Sequence, residues 1–159
     1  MIRMSRLADY GSLLTTYMAR QPAQAVHNAA DLAAATRLPA PTVSKILKVL
    51  GKAGIVESHR GVKGGYSLAR DARAITLLSI IQALEGGPLA LTECSTDTHD
   101  HCELETQCLV RHQWQTINQV VYQALGTITL HEMAYPRRSF DGIVSTKALD
   151  EALVTGRTR

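Results

Sequence analysis

The 159-residue sequence predicts a mainly α-helical fold with one small β-hairpin. Apolar residues recur at three- and four-residue steps in several segments, which is the period of amphipathic helices. One glycine-rich stretch, residues 55–71, is instead typical of strand, turn and strand. All three cysteines lie between positions 94 and 108, in a polar and acidic stretch that predicts a loop with chemistry of its own.

Three helices are predicted before the hairpin. Residues 3–20 place their apolar side chains on one face and predict the first helix. Asn28 is a suitable N-cap for a second, short helix over residues 29–37. The third helix begins near Pro41, because proline lacks only an N–H that the first turn does not use, and it ends at Gly54.

The second and third helices, joined by a tight turn over residues 36–39, match a helix-turn-helix. In that motif the N-terminal residues of the second helix read base edges in the major groove, and lysines farther along bind phosphates. Candidate DNA-binding residues lie away from the apolar face of this helix: Thr42, Ser44, Lys45 and Lys48.

The hairpin that follows indicates a wing. Gly61, Gly64 and Gly65 are expected to supply positive φ angles for its turn. Arg60 and Lys63 concentrate positive charge at its tip and are further candidate DNA-binding residues. A β-hairpin directly after a helix-turn-helix forms a winged helix, and the wing can enter the neighbouring minor groove.

Two more helices are predicted after the wing. One begins after Thr76 and ends at residues 85–88. A long helical pattern then runs from Glu105 to about residue 128, with Arg111 as the only charged residue between 106 and 131. A helix so poor in charge is expected to be buried against its own domain or against a second copy, so we expect a homodimer.

The chain is predicted to have three parts: a winged helix-turn-helix domain (1–75), a cysteine-rich loop with dimerisation helices (76–134) and a mobile C-terminal tail (135–159). The first part carries eleven Lys and Arg against four Asp and Glu, whereas the second carries one against seven. This separation is typical of a DNA-binding domain joined to a sensing element. With no apolar run long enough for a membrane span, we expect a cytoplasmic protein with reduced thiols.

Cys94, Cys102 and Cys108 predict a metal or cluster site. Thiolates gathered in one loop favour zinc, copper(I) or an iron–sulfur cluster, and a disulfide would leave one thiol over. Zinc and each cluster iron take four ligands, so one more is needed. Histidines in or near the loop are candidates: His99, His101 and His112. The cysteine spacing does not choose the metal.

Four segments carry a resemblance to a known family: MSRLADYGSLLT, GIVESHRGVKGGYSLARD, the three-cysteine loop, and CLVRHQWQTIN with ITLHEM. Over residues 1–134 the chain resembles the iron–sulfur-dependent winged-helix regulators of the IscR/NsrR type, and it looks most similar to regulators of the SUF cluster-assembly system. The resemblance implies a dimer whose cysteine loop holds a 2Fe–2S or 4Fe–4S cluster. It also implies that gain, loss or nitrosylation of the cluster changes DNA affinity.

The chain departs from that family pattern in three places. Seven residues separate the first two cysteines, where IscR-like members have five. Arg111 stands where those members have a histidine ligand, and His112 is one position farther on. In NsrR-like members the fourth ligand is an aspartate of the partner subunit, and Asp9 matches its position. Ser44 replaces a glutamate of IscR, so an operator sequence does not carry over.

We therefore expect a DNA-binding transcriptional regulator that senses iron–sulfur cluster status and controls SUF genes. We expect it to act as a repressor. Its expected partners are a double-stranded DNA operator and a second copy of the chain, and no membrane. One alternative is a nitric-oxide or redox sensor on the same scaffold, and another is a DNA-binding protein whose loop is stapled by zinc. No nucleophile–base or paired-carboxylate arrangement indicates an enzyme.

Overall fold

The computed structural model describes residues 4–92 and 107–136. It confirms a mainly α-helical fold with one two-stranded antiparallel hairpin. The elements are α1 (Arg6–Ala19), α2 (Ala29–Thr36), α3 (Ala40–Lys52), β1 (Val56–His59), β2 (Gly65–Leu68), a 3₁₀ turn (Ala72–Ala74), α4 (Leu77–Glu85), α5 (Arg111–Thr127) and α6 (Leu130–Ala134). Cys94, Cys102, His99, His101 and the predicted tail beyond residue 136 lie outside the described residues.

Polar caps determine where the helices begin. α1 starts at Arg6 rather than at residue 3, because the Ser5 side chain accepts a hydrogen bond from the Ala8 N–H (3.1 Å). Asn28 caps α2 as predicted, with its Oδ1 2.8 Å from the Asp31 nitrogen. Thr76 caps α4 in the same way, through the Ser79 N–H. The sequence therefore specifies these boundaries locally.

The helix-turn-helix is confirmed in its predicted place. α3 has Pro41 in its first turn, and Gly54 follows its C-terminus with φ +67°. The apolar face of α3 is fully buried, with no exposed surface on four side chains: Val43, Ile46, Leu47 and Leu50. Burying such a side chain contributes about 1.5–3 kcal/mol, so this face fixes the rotation of α3 about its axis.

The wing is joined to the helix-turn-helix by backbone hydrogen bonds. The His27 N–H donates to the Tyr66 carbonyl (2.9 Å), and the Tyr66 N–H donates to the His27 carbonyl (2.8 Å). Of the three wing glycines, only Gly61 has a positive φ, at +111°. The prediction was wrong for the other two: Gly64 and Gly65 are needed for space, because a Cβ would overlap the carbonyl oxygens of His59 and His27 respectively.

One hydrophobic core joins the winged helix to later parts of the chain. α4 packs against α1, and a Cβ at Gly11 would overlap the Leu84 side chain. Leu130 of α6 is fully buried in the core that α1 and α3 also line. The core thus crosses residue 75, while the functional division of the chain there stays a prediction.

The last predicted helix, α5, begins at Arg111 and not near Glu105, and it is followed by a short helix that was not predicted. α5 ends at Thr127, and Thr129 starts α6 through a capping box with Glu132. Between them Thr129 forms an isolated antiparallel bridge with Thr76. Hydrogen bonds of 2.8 Å flank the bridge, from the Leu77 N–H to the Ile128 carbonyl and from the Leu130 N–H to the Ile75 carbonyl. α6 therefore returns to the core next to the start of α4.

α5 is the least covered of the α-helices in the described residues. It packs against α4, with a hydrogen bond from Gln82 Nε2 to the Tyr122 hydroxyl (3.1 Å). None of its residues is fully buried, and Ile117 is 45% exposed. Burial against its own domain is thus incomplete within one copy.

No helix in residues 4–92 and 107–136 combines the length and the hydropathy that a bilayer span requires.

Candidate nucleic-acid interface

The outer face of α3 carries the predicted DNA-reading residues. Ser44, Lys45 and Lys48 are exposed, and Thr42 is half-buried near the helix N-terminus. Because Val43, Ile46 and the rest of the apolar face are buried, these polar side chains point away from the core. α3 also lacks the side-chain N-cap that α1, α2 and α4 have. Its first turn is consequently open to an outside acceptor.

The wing tip carries the other predicted residues. Both are exposed: Arg60 lies just before, and Lys63 lies within, a turn that the Gly64 N–H closes onto the Gly61 carbonyl (2.9 Å). Among the residues that the structure describes, no ion pair involves the cations of α3 or of this tip. Their charges are therefore available to phosphates, for which Lys and Arg are the usual partners.

Sequence analysis missed a hydrogen-bonded cluster on the outer side of the wing. Ser67 is buried and donates its hydroxyl hydrogen to Glu57 Oε1 (3.1 Å). Since that hydrogen is used, the His59 Nε2–H must be the donor in its 2.8 Å contact with Ser67 Oγ. Glu57 Oε1 also lies 3.5 Å from His59 Nε2. These contacts hydrogen-bond Glu57, which is the only carboxylate of the hairpin. The cluster depends on the strand register, which the sequence pattern did not provide.

Arg37 is a further exposed cation that the sequence analysis did not select. It is the C-cap of α2 and adopts the left-handed conformation (φ 56°), which is uncommon for a residue other than glycine. That conformation turns the chain from α2 into α3. The position of Arg37 inside the predicted turn could have identified it, because the residue that closes this turn lies next to the recognition helix.

Only part of the predicted metal site lies in the described residues. Cys108 is half-buried just before α5, and Asp9 is exposed in the first turn of α1. The Ser5 N–H donates to Glu85 Oε1 (2.9 Å), so the start of α1 adjoins the end of α4, from which the cysteine loop departs. His112 is exposed in the first turn of α5. Within residues 4–92 and 107–136 no three potential ligands form a metal-binding group.

These donors fit part of a cluster-binding set. A thiol and a carboxylate, both accessible, are ligand types that iron accepts. The two other cysteines lie outside the described residues, so the ligand set stays a prediction.

Comparisons with known proteins agree with this architecture. A family model described as "Rrf2: Iron-dependent Transcriptional regulator" matches residues 4–136. An HTH-type transcriptional regulator of Neisseria meningitidis serogroup A is 31% identical over 140 residues, which is 86% of this chain and 93% of that protein.

Two solved structures are similar over most of the chain. CymR, the global cysteine regulator of B. subtilis, matches with a TM-score of 0.66 and 26% identity, covering 84% of this chain and 97% of CymR. IscR of T. potens matches with a TM-score of 0.59 and 26% identity, covering 88% of this chain and 96% of IscR. Each likeness covers more than four fifths of this chain.

Proposed function

The chain belongs to the Rrf2 family of transcriptional regulators, and we propose that it binds operator DNA as a homodimer whose affinity responds to an iron–sulfur cluster. The resemblance to the IscR/NsrR type supports the cluster, and the resemblance to the SUF-system regulators supports cluster-assembly genes as the targets. On this proposal the protein is a repressor that reports how much cluster the cell has available.

The observation that carries the proposal is the set of exposed cations on α3 and the wing, none of which makes an ion pair within residues 4–92 and 107–136. The buried face of α3 holds Lys45 and Lys48 outward, and the backbone bridge from His27 to Tyr66 joins the wing to the residues just before α2. A recognition helix in the major groove with a wing over the adjacent minor groove uses this arrangement. Phosphate contacts by the lysines set affinity, while Thr42 and Ser44 are positioned to reach base edges.

The exposed side of α5 supports the homodimer. Ile117 is 45% exposed, and the apolar side chains farther along the helix are only half-buried. A second copy that pairs its α5 with this one would remove these side chains from water. Two recognition helices related by a two-fold axis would then bind the two halves of a palindromic operator.

Cys94, Cys102 and Cys108 would hold the cluster, with Asp9 as the fourth ligand. When bound, the cluster supplies a centre that responds to oxidants and to nitric oxide. Asp9 lies in the first turn of α1, in the DNA-binding part of the chain, whereas the thiols lie beyond residue 90. A ligand set that spans both parts would link the cysteine loop to the winged helix. The presence of the cluster would then set the distance between the two winged helices of the dimer.

Anaerobic purification tests the cofactor. We expect a brown protein with the absorption and Mössbauer spectra of a 2Fe–2S or 4Fe–4S cluster, and Cys94→Ala, Cys102→Ala and Cys108→Ala should each lose that chromophore while staying folded. A colourless protein that contains zinc would instead indicate that the loop is a structural zinc site and not a sensor. Wild-type cluster content in all three variants would refute the ligand assignment.

DNA binding is tested separately, by fluorescence anisotropy with duplexes that the protein selects from a random library. We expect the holo and apo forms to differ in affinity by about 5- to 150-fold, the usual range of an allosteric coupling. Equal affinities would leave the DNA-binding function intact and refute sensing by the cluster.

A further inference from the structure

Val62 at the wing tip has no structural role that explains an apolar side chain. Its relative exposure is 108%, so it is as accessible as in an isolated extended chain. The hydrogen bond from the Gly64 N–H to the Gly61 carbonyl (2.9 Å) makes Val62 and Lys63 the central residues of the turn. Polar residues and glycine are the usual choices there, and a β-branched residue is not. Val62 therefore buries no surface on folding, and its whole isopropyl group is free to contact a partner.

The surroundings of Val62 identify the chemistry of that partner. Arg60 and Lys63 flank it, both are exposed, and neither makes an ion pair among the described residues. The only carboxylate of the hairpin, Glu57, is engaged by Ser67. An isopropyl group between two free cations fits a polyanion that presents apolar surface between its charges. The minor groove of DNA has such a surface, formed by sugar carbons and by the C2–H edge of adenine.

We propose that Val62 is the base-discriminating residue of the wing, inserting into the minor groove and favouring A·T over G·C pairs. The inference rests on the proposed DNA-binding function and adds a specificity determinant to it. A G·C pair places the guanine N2 amino group on the groove floor, whereas an A·T pair places no donor there. When Val62 covers this amino group, the amino group loses its hydrogen bond to water, and the isopropyl group cannot accept a hydrogen bond in its place. Covering the amino group is therefore unfavourable.

The two cations cannot supply this discrimination. Phosphate contacts position a protein on the duplex but carry no direct sequence information. Val62 has no charge, so its replacement leaves the electrostatic part of binding unchanged. The base preference under the wing and the salt dependence of binding are thus assigned to different residues, and each can be removed without the other.

The test uses the full-length protein and fluorescein-labelled duplexes selected by the wild type from a random library. Each A·T pair at the flanks of the selected sequence is replaced in turn by G·C or by inosine·C. Inosine lacks the N2 amino group while keeping the major-groove acceptors of guanine, so it isolates the minor-groove contact. We expect wild-type protein to bind the G·C duplex about fivefold more weakly at the positions under the wing, with inosine·C close to A·T.

Val62→Ser should reduce the G·C penalty to less than about twofold and leave the slope of log K against log salt unchanged. Lys63→Ala is the matched control: it should keep the penalty and lower the slope by about one. A Val62→Ser variant that keeps the full penalty would refute the inference, as would inosine·C that behaves like G·C. If wild-type protein binds no duplex at all, the proposed function fails and this inference fails with it.

Discussion

Replacing Gly65 by alanine should detach the wing from the helix-turn-helix. A Cβ at position 65 would overlap the carbonyl oxygen of His27 and come within 3.0 Å of the Asn28 nitrogen. These are backbone atoms, which cannot rotate away as the end of a side chain can. The variant can fold only by separating His27 from Tyr66, whose two mutual hydrogen bonds of 2.9 and 2.8 Å join the wing to the residues before α2.

The expected loss of stability follows from those two hydrogen bonds. Each contributes about 0.5–1.5 kcal/mol, so their loss lowers the free energy of unfolding by about 1–3 kcal/mol. Alanine also restricts the unfolded chain, which returns about 0.4–1 kcal/mol. We therefore expect a net destabilisation of about 1–2 kcal/mol. Affinity for DNA should fall as well, because the wing no longer holds its position beside α3.

Urea unfolding followed by circular dichroism measures this effect, at one fixed protein concentration because a dimer's midpoint depends on it. Gly51→Ala is the matched control. The nearest atom to a Cβ there is the Val56 carbonyl oxygen at 3.9 Å, an ordinary contact, and position 51 is helical. That variant should gain about 0.5 kcal/mol. A Gly65→Ala protein as stable as Gly51→Ala would show that the bridge does not hold the wing.

Three further predictions concern the other parts of the protein. Lys48→Ala should weaken binding to all DNA sequences alike and lower the slope of log K against log salt by about one; an unchanged slope would remove Lys48 from the interface. Asp9→Ala should alter the absorption spectrum of the cluster while keeping the fold, and His112→Ala should not; the reverse result would make the histidine the ligand. Ile117→Glu should shift sedimentation at micromolar concentration from dimer to monomer, because a charge cannot be buried unpaired between two α5 helices. Gln119→Glu, at an exposed position of the same helix, should leave the dimer intact, and equal dimerisation of both variants would place the interface elsewhere.

Local signals predicted the winged helix well. Asn28, Thr76 and Gly54 mark boundaries through hydrogen bonds or backbone angles that depend on a few neighbouring residues. The buried face of α3 follows from helical periodicity for the same reason. Features of this kind can be read from one segment at a time.

Features that depend on two distant segments were missed. The placement of α6 depends on the bridge between Thr129 and Thr76, which lie fifty-three positions apart, although the spacing of Thr129 and Glu132 is that of a capping box and could have indicated the helix start. The need for space at Gly65 depends on His27, thirty-eight positions earlier in the sequence. The burial of Ser67 depends on the strand register. Periodicity within one segment contains no information about the partner segment.

The bridge between Thr76 and Thr129 has a consequence for how such regulators evolve. The bridge holds the start of α4 next to the start of α6, so the two ends of the segment that contains α4, the cysteine stretch and α5 are fixed next to each other. Adding two residues within that segment costs less than about 0.1 kcal/mol of closure free energy. The seven-residue gap between Cys94 and Cys102 can therefore arise by insertion without displacing α3 or the wing. On the proposed function, selection could thereby exchange what the segment detects while the winged helix stays as it is.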